Sequence, residues 1–371
     1  MAHVTIAHDY LTQRGGAERV ALRLCEAFPS AELLTTVYEP RATFPDFASR
    51  RIIASSAERI APLRRHVRAL FPVLPMLLRS LPPAPGVLVA SSSGWAHAMR
   101  ASGPKVVYCH NPARWLYQPD DYFRVLPPPA RAIAVALLRP LRRWDRRHAL
   151  SASVYLANST SVAQRIWQTY GISARVVFPP VGIDGDGPVE PVSGVEPGFF
   201  LTIGRRRGYK NTRAICEAAE RVDTARLVCV GGLPRGEWSS KIVGLQGVSD
   251  AQLRWLYANA SAVVAVARED FGLTPIEGHT FGTPSIVLRA GGYLDSCVEG
   301  LNSCFVESDA VDEVAAAMRS FRADRFDAEL IRQHAQRFSR AAFVAAMRSV
   351  VESLEAGDVT TPFEPVESRV R

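Results

Sequence analysis

The sequence predicts an α/β protein made of two doubly wound, Rossmann-like domains. Short apolar runs alternate with amphipathic helical patterns along most of the chain, as expected when helices cover both faces of a parallel sheet. The runs themselves show little apolar–polar alternation, which is typical of strands buried on both faces. The length of 371 residues exceeds what one core usually takes and suits two.

The first half of the chain contains six strand candidates, at His3–His8, Leu33–Tyr38, Ile52–Ala54, Val87–Ala90, Val106–Cys109 and Val154–Ala157. In doubly wound sheets, ligands bind beyond the carboxyl ends of the strands. Asp9 ends the first candidate, and His110 stands just after the fifth, in Tyr108-Cys-His-Asn-Pro112. A lone histidine is more often structural than catalytic, but the position of His110 at a strand end before a loop keeps both interpretations open.

A glycine turn follows the first strand, in Gly15-Gly16-Ala-Glu18, and a helical pattern continues to Phe28. A strand, a glycine turn and a helix N-terminus together form a potential site for phosphate or sugar groups, because the first N–H groups of the helix are unpaired. The alternative is a tight turn that needs glycine only for its backbone conformation.

The stretch from Pro179 to Pro197 is rich in proline and glycine, a composition typical of a linker. A second α/β series follows, with strand candidates at Phe199–Ile203, Arg226–Val230, Ile242–Leu245, Ala262–Ala267 and Ser285–Leu288. The predicted boundaries are residues 1–183 for an N-terminal domain, 184–198 for the linker, 199–338 for a second domain, 339–355 for a C-terminal helix that packs back on the N-terminal domain, and 356–371 for a disordered tail.

The stretch Glu269-Asp-Phe-Gly-Leu-Thr-Pro-Ile-Glu277 organises the second domain. It follows a buried strand and leads into a short helix, predicted over residues 275–281 with Thr274 as N-cap and Pro275 at the first helical position. The helix N-terminus favours an anion, while the two carboxylates favour hydroxyl groups, so a sugar diphosphate would suit both features. The alternative is a capping box, in which Glu277 only reaches back to the Thr274 N–H group.

Charge is unevenly distributed. Residues 1–185 carry 23 Lys and Arg against 11 Asp and Glu, whereas residues 186–371 carry 21 against 25. Two segments, 59–79 and 131–148, are basic and amphipathic, the second with Arg139, Arg142, Arg143, Arg146 and Arg147. They are interpreted either as solvated helix faces or as a surface that rests on anionic lipid. Nucleic acid is not an expected partner, since no known binding motif is present.

Cysteine and histidine spacing gives no metal motif, and we expect neither a cofactor nor a metal ion. The sequence Asp184-Gly-Asp186 resembles a metal-binding DxD, but it lies in the linker rather than at a strand end. No signal peptide or membrane span is evident. The expected location is the cytoplasm, with peripheral attachment to the inner face of the plasma membrane as an option.

Together the motifs resemble those of a GT-B glycosyltransferase of retaining family 4, whose two Rossmann-like domains face a cleft. The resemblance rests on Gly15-Gly16-Ala-Glu18-Arg-Val20, Gly204-Arg205 with Lys210, Gly247-Val-Ser-Asp250, and the pair Glu269 and Glu277. It covers about residues 1–355. The context Tyr108-Cys-His-Asn-Pro-Ala-Arg-Trp115 resembles the mannosyltransferase-like branch. The loop Arg205-Arg-Arg-Gly-Tyr209 departs from the family pattern.

The resemblance implies a role for each motif. Arg205 and Lys210, with the amides near Thr274, would stabilise the leaving diphosphate. His110, from the other domain, would contact the donor sugar, and Glu277 would accept from ribose hydroxyls. The remaining implied groups are Glu269, Phe271, Gly272 and Leu273 for the donor sugar, Val248 and Asp250 for the base, Gly16 for the donor, and Asp9 and Gly15 on the acceptor side.

The implied function is retaining transfer of a hexose, with mannose from GDP-mannose preferred, to a hydroxyl of a glycolipid or polysaccharide precursor. The expected partners are the nucleotide sugar and a lipid-linked or oligosaccharide acceptor. A UDP-sugar-dependent transferase on a soluble acceptor is the main alternative. A non-hydrolysing sugar-nucleotide epimerase shares the architecture but would not need a basic N-terminal half. A non-catalytic binding protein would be expected to lose Arg205, Lys210 or Glu269, and all three are present.

Overall fold

A computed structural model describes residues 3–56, 74–119, 127–183, 185–204 and 210–357. The chain divides into two compact units. The first contains Met1–Pro180 and Phe343–Arg371, and the second contains Val181–Ala342.

A seven-stranded parallel sheet forms the first unit, in the order β3-β2-β1-β4-β5-β6-β7. Its strands are β1 Val4–His8, β2 Glu32–Thr35, β3 Ile52–Ala54, β4 Val87–Ser92, β5 Lys105–Cys109, β6 Val154–Ala157 and β7 Arg175–Val176. Six of them coincide with sequence predictions. The two-residue β7 was not predicted, because so short a strand leaves no pattern and exists only by pairing with β6.

A six-stranded parallel sheet forms the second unit, in the order β10-β9-β8-β11-β12-β13. Its strands are β8 Phe199–Ile203, β9 Leu227–Val230, β10 Ile242–Leu245, β11 Ala260–Ala265, β12 Ser285–Leu288 and β13 Ser303–Val306. The predicted fold class is therefore confirmed. β13 was missed, because its four residues, buried at Ser303 and Val306 and half-buried between them, form neither an alternating pattern nor a long apolar run.

Helices cover both faces of each sheet. In the described residues they are α1 Gly16–Ala27, α2 Leu74–Arg79, α3 Arg114–Tyr117, α4 Pro128–Ala149, α5 Thr160–Tyr170, α6 Thr212–Glu220, α7 Asp250–Asn259, α8 Leu273–Thr280, α9 Tyr293–Ser296, α10 Val311–Ser320, α11 Ala328–Ala335 and α12 Arg340–Glu355. The apolar face of α12 lies in the core of the first unit, where the Phe343 ring meets the Tyr108 ring edge-on at 5.6 Å between centroids. Elements from both halves of the described sequence, β1 and α12, thus contribute to the first core.

Strand order fixes where ligands can bind. The order reverses between β1 and β4 in the first sheet and between β8 and β11 in the second. At such a switch point, neighbouring loops leave in opposite directions and open a crevice beyond the carboxyl ends of the strands. The loops after β1, β4 and β5, and those after β8 and β11, are therefore the places to look for functional groups.

Candidate active site

Lys210 and Glu269 meet at the switch point of the second sheet. Lys210 follows β8, Glu269 follows β11, and the Lys210 Nζ atom lies 2.5 Å from Glu269 Oε1. The side chains are 27% and 10% exposed, so the pair is shielded but reachable by a ligand. Two residues that the sequence assigned to the diphosphate and to the donor sugar are thus brought together. Arg205 lies outside the described residues.

The loop from Lys210 into α6 turns at Asn211, which adopts a left-handed conformation with φ 51°. Among the described non-glycine residues it is the one with positive φ. Its Nδ2 group donates to Asp309 Oδ2 at 2.6 Å. Asparagine tolerates this conformation better than most residues, and the bond to Asp309 holds it there. The turn thereby fixes how the chain passes from Lys210 into the start of α6.

Two adjacent glycines, Gly291 and Gly292, lie in the loop after β12 and contact the Glu269–Phe271 backbone. The Gly292 N–H group donates to the Glu269 carbonyl at 3.1 Å. A Cβ atom on Gly291 would collide with that same carbonyl, and one on Gly292 would collide with the Phe271 backbone. Gly291 also has a positive φ of 62°. The sequence shows this pair plainly, but its partner is distant in sequence and could not be assigned.

The helix after Glu269 begins differently from the prediction. α8 spans Leu273–Thr280, and its N-cap is Gly272, with φ 85° and ψ 70°. Thr274 is therefore not the N-cap and Pro275 is not the first helical residue. The Tyr293 ring packs where a Gly272 side chain would stand. Glycine alone fits both this contact and the left-handed backbone, so the chain turns into the helix earlier than a threonine cap would allow.

Glu277 does not form the capping box that was considered from the sequence. Its Oε1 atom accepts from the Gly182 N–H group at 3.1 Å, and its Oε2 atom accepts from the Tyr257 hydroxyl at 2.6 Å. Tyr257 is fully buried on α7, and its ring is stacked on Phe281 at 5.8 Å. The carboxylate is thus held by two donors from distant segments, a role that local sequence spacing could not reveal.

Val248 and Asp250 lie at the N-terminus of α7, on the same helix as Tyr257. Val248 is half-buried, and Asp250 is exposed at the first helical position. Here a capping box does occur: Ser249 Oγ accepts from the Gln252 N–H group at 3.1 Å, and Gln252 Oε1 accepts from the Ser249 N–H group at 3.2 Å. The spacing of a serine and a glutamine three residues later could have identified it from the sequence.

His110 lies beyond β5 in the first unit and is partly buried. The Nε2 atom of its ring is 2.8 Å from Ser91 Oγ. The backbone N–H group of His110 donates to the Ser92 carbonyl at 2.8 Å. Burial, followed by the neighbouring His8, lowers the pKa of His110 to about 3. The imidazole is therefore neutral near pH 7 and does not act as a cation there.

Asp9 is held by the segment after β4. Its two carboxylate oxygens accept four hydrogen bonds of 2.6–2.9 Å, from Ser93 N, Ser93 Oγ, Trp95 N and Ala96 N. The residue is 1% exposed. These bonds give Asp9 a stabilising role, and its acceptor-side assignment stays a prediction.

Gly15 is the N-cap of α1, and Gly16 is its first residue. Gly15 has φ −118°, so its conformation does not require glycine. A Cβ atom there would instead lie 2.5 Å from Oε2 of Glu18, which is 1% exposed. The close approach of Glu18 thus explains why the turn is tight, and the roles of Gly15 and Gly16 toward donor or acceptor stay predictions.

Ser92, His97 and Asp145 are ordered like a nucleophilic triad. Ser92 Oγ lies 3.0 Å from His97 Nδ1, and His97 Nε2 lies 3.1 Å from Asp145 Oδ1. All three residues are at most 3% exposed, so no substrate reaches the Ser92 hydroxyl. Asp145 Oδ2 also accepts from the Tyr117 and Tyr170 hydroxyls, each at 2.8 Å. The cluster fixes α4 to the core.

The arginines of α4 point mostly outward. Arg139, Arg143, Arg146 and Arg147 are exposed. Arg142 instead turns inward, where its Nε group donates to the Leu116 carbonyl at 2.9 Å. The other predicted basic segment, 59–79, lies outside the described residues as far as residue 73. Within the described ranges, no helix combines the length and apolar character needed to cross a membrane.

No three His, Cys, Asp or Glu side chains within the described ranges are grouped so that they could hold a metal ion. Asp184 lies outside those ranges, so the Asp184 and Asp186 interpretation cannot be placed on the fold.

Family models match both halves of the chain. Residues 14–186 match the model of Glycosyltransferase Family 4, and residues 190–343 match that of Glycosyl transferases group 1. The chain belongs to glycosyltransferase family 4. It is a glycosyltransferase of the kind that takes its sugar from a nucleotide sugar. No curated protein matches the sequence.

Solved structures of distant sequence share the fold. Sucrose-phosphate synthase from Thermosynechococcus elongatus has a TM-score of 0.70 at 16% identity, over 96% of this chain and 100% of its own. Anabaena HepE in complex with UDP-glucose has a TM-score of 0.67 at 16% identity, over 95% and 100%. The lipopolysaccharide outer core galactosyltransferase WaaB has a TM-score of 0.61 at 16% identity, over 95% and 99%. All three support the GT-B fold.

Proposed function

We propose that this family 4 enzyme transfers a hexose, with retention of configuration, from a nucleotide-diphosphate sugar to a hydroxyl of a glycolipid or polysaccharide precursor. The observation that carries the proposal is the Lys210–Glu269 pair at the switch point of the second sheet. The pair supports the proposal because a cation proposed to bind the diphosphate lies beside a carboxylate proposed to accept from sugar hydroxyls, and Glu277 lies on the helix that follows.

The chemistry requires that negative charge be stabilised as the sugar–phosphate bond breaks. Lys210 supplies a positive charge, and Arg205 is proposed to supply another. The acceptor oxygen attacks the sugar carbon on the face that the phosphate leaves, and the departing phosphate oxygen takes the acceptor proton. This step needs no protein base. His110, neutral with a pKa of about 3, is proposed to contact the donor sugar as a hydrogen-bonding group.

GDP-mannose is the proposed donor, because the residues around His110 resemble the mannosyltransferase-like branch. A UDP-sugar is the second candidate, supported by the UDP-glucose complex of HepE. Thermal shift with GDP-mannose, UDP-glucose and a dTDP-sugar separates them, since a bound donor stabilises the fold by mass action. A larger shift with UDP-glucose would overturn the choice of mannose, and no shift with any donor would contradict the function.

We also propose that the exposed arginines of α4 bring the enzyme to an anionic membrane surface that holds the acceptor. Each basic residue near such a surface contributes about 1 kcal/mol. Co-sedimentation with vesicles should therefore require anionic lipid and weaken with salt. The variant R139Q/R143Q/R146Q should lose binding. The control R319Q/R325Q/R337Q removes the same charge from exposed positions of the second unit and should keep it. Equal binding to neutral vesicles would leave a soluble acceptor as the better choice.

Metal independence is a separate proposal, supported by the cations assigned to the diphosphate. Activity should survive EDTA. A strict requirement for Mn²⁺ or Mg²⁺ would instead revive the interpretation of Asp184 and Asp186 as metal ligands.

A further inference from the structure

A buried polar relay runs through the first unit behind His110. It starts at Glu18 on α1, passes through His8 at the end of β1 and Ser91 in β4, and ends at His110 after β5. Glu18 and His8 are 1% exposed, and Ser91 is fully buried. None of these three residues was assigned a role from the sequence.

The sheet register builds the relay. His8 pairs directly with Ser91 in the parallel ladder, and Ser91 pairs with Tyr108, two residues before His110. Ser91 Oγ lies 3.1 Å from His8 Nδ1 and 2.8 Å from His110 Nε2. One hydroxyl thus stands between two imidazole rings, and its single proton can go to only one of them.

The charge of Glu18 determines which of the two imidazole rings accepts the Ser91 proton. Its Oε1 atom lies 3.9 Å from His8 Nε2, too far for a hydrogen bond but close enough for its charge to favour a proton on that nitrogen. His8 Nδ1 is then an acceptor, so Ser91 donates to it. Ser91 must therefore accept from His110, which places the His110 proton on Nε2.

We propose that Glu18, His8 and Ser91 are positioning residues that hold His110 with its proton on Nε2, so that Nδ1 accepts from a hydroxyl of the donor sugar. The relay itself stands on the geometry of the first unit, whereas the sugar contact rests on the proposed function. In the described part of the chain, Nδ1 of His110 has no hydrogen-bond partner.

The first experiment measures the tautomer in the wild-type protein. Nitrogen NMR of ¹⁵N-histidine-labelled protein distinguishes protonated from unprotonated ring nitrogens, and His110→Gln assigns the signals. We expect His110 to carry its proton on Nε2. A proton on Nδ1 would mean that the relay runs the other way, with His8 holding both protons, and would overturn the proposal.

The second experiment tests the consequence for turnover. Ser91→Ala should lower kcat roughly 5- to 10-fold, the effect of one lost hydrogen bond, with donor KM nearly unchanged and the His110 tautomers mixed. Ser91→Thr, which keeps the hydroxyl, should restore both. Glu18→Gln, which removes the charge but keeps the shape, should also mix the tautomers.

Ser92→Ala is the matched control. Ser92 is the next residue of β4, is 2% exposed and loses a comparable bond, but to His97 rather than to His110. Its kcat and the His110 signal should not change. Equal losses in both alanine variants would reduce the relay to a structural role. If the protein transfers no sugar at all, the proposed function fails, and the wild-type tautomer still decides the relay.

Discussion

The carboxyl ends of the two sheets are filled in different ways. In the first sheet, polar groups bind one another inside the protein: Asp9 accepts four hydrogen bonds, and Ser91 joins His8 to His110. In the second sheet, Lys210 and Glu269 pair across two loops and stay partly exposed. The first arrangement favours rigidity, and the second lets a ligand exchange with an internal partner. Loss of Asp9 should therefore mainly cost stability, whereas loss of Lys210 should mainly cost activity.

The largest expected effect is on stability and concerns Asp9, at the carboxyl end of the first sheet. Asp9→Ala would leave the four donors of the segment after β4 buried without an acceptor, at a cost of roughly 3–5 kcal/mol in the free energy of unfolding. Urea denaturation measures it. Asp250→Ala, which removes an exposed carboxylate of the second unit, should cost about 0.5 kcal/mol. A loss below about 1 kcal/mol in Asp9→Ala would break the comparison.

The next effect is on turnover and concerns Lys210, at the carboxyl end of the second sheet. Lys210→Ala should lower turnover about 10²-fold, because charge stabilisation of the diphosphate is lost, while the urea midpoint changes little. We expect the same of Arg205→Ala. Lys241→Ala is matched, since Lys241 is 22% exposed and faces Glu220 in the same unit, and it should keep its activity. Near-normal turnover in both Lys210→Ala and Arg205→Ala would contradict the diphosphate assignment.

Acid should weaken both units alike, because each contains a histidine that burial keeps neutral. The pKa of His110 and that of His279 are both lowered to about 3. The unfolded chain takes up these protons near pH 6.5 and the folded chain near 3, so the stability is complete above 6.5 and is lost as pH falls toward 3. We expect losses of roughly 1–2 kcal/mol per histidine at pH 5.

Urea denaturation at pH 7.5 and pH 5 measures this loss of stability. His279→Gln should remove the part of the loss that comes from the second unit. Stability that is flat or higher at pH 5 would show that neither histidine is held neutral by burial.

The smallest effect concerns the support of Glu277. Tyr257→Phe removes the hydroxyl that donates to the Glu277 carboxylate and should raise the KM of the sugar donor about 5-fold, near the value of one hydrogen bond. Preference for a ribose over a 2′-deoxyribose nucleotide should fall as well. Tyr170→Phe loses an equivalent bond to a buried carboxylate, Asp145, in the first unit and should leave KM unchanged. Unaltered ribose preference in Tyr257→Phe would argue against Glu277 as the ribose acceptor.

Much of the fold could be read from the sequence. Apolar runs set eleven of the thirteen strands, because burial on both faces leaves a local pattern. The spacing of Glu269 and Glu277 and the lysine after β8 led to the prediction of a site in the second unit, and the structure brings Lys210 and Glu269 together. The run Ser91-Ser92-Ser93 at a strand end was a readable signal that went unused, since three hydroxyls there suggest partners beyond the sheet edge.

Only the tertiary structure determined which residues contact one another across the chain. The start of α8 depends on Tyr293 filling the space beside Gly272, and Glu277 takes donors from Gly182 and Tyr257 rather than from its own helix. The three neighbouring serines bind different residues: Ser91 contacts His8 and His110, Ser92 contacts His97, and Ser93 donates to Asp9. Sequence patterns report burial and backbone preference over a few residues. Partners far apart in the chain are set by strand order and register, which no local pattern contains.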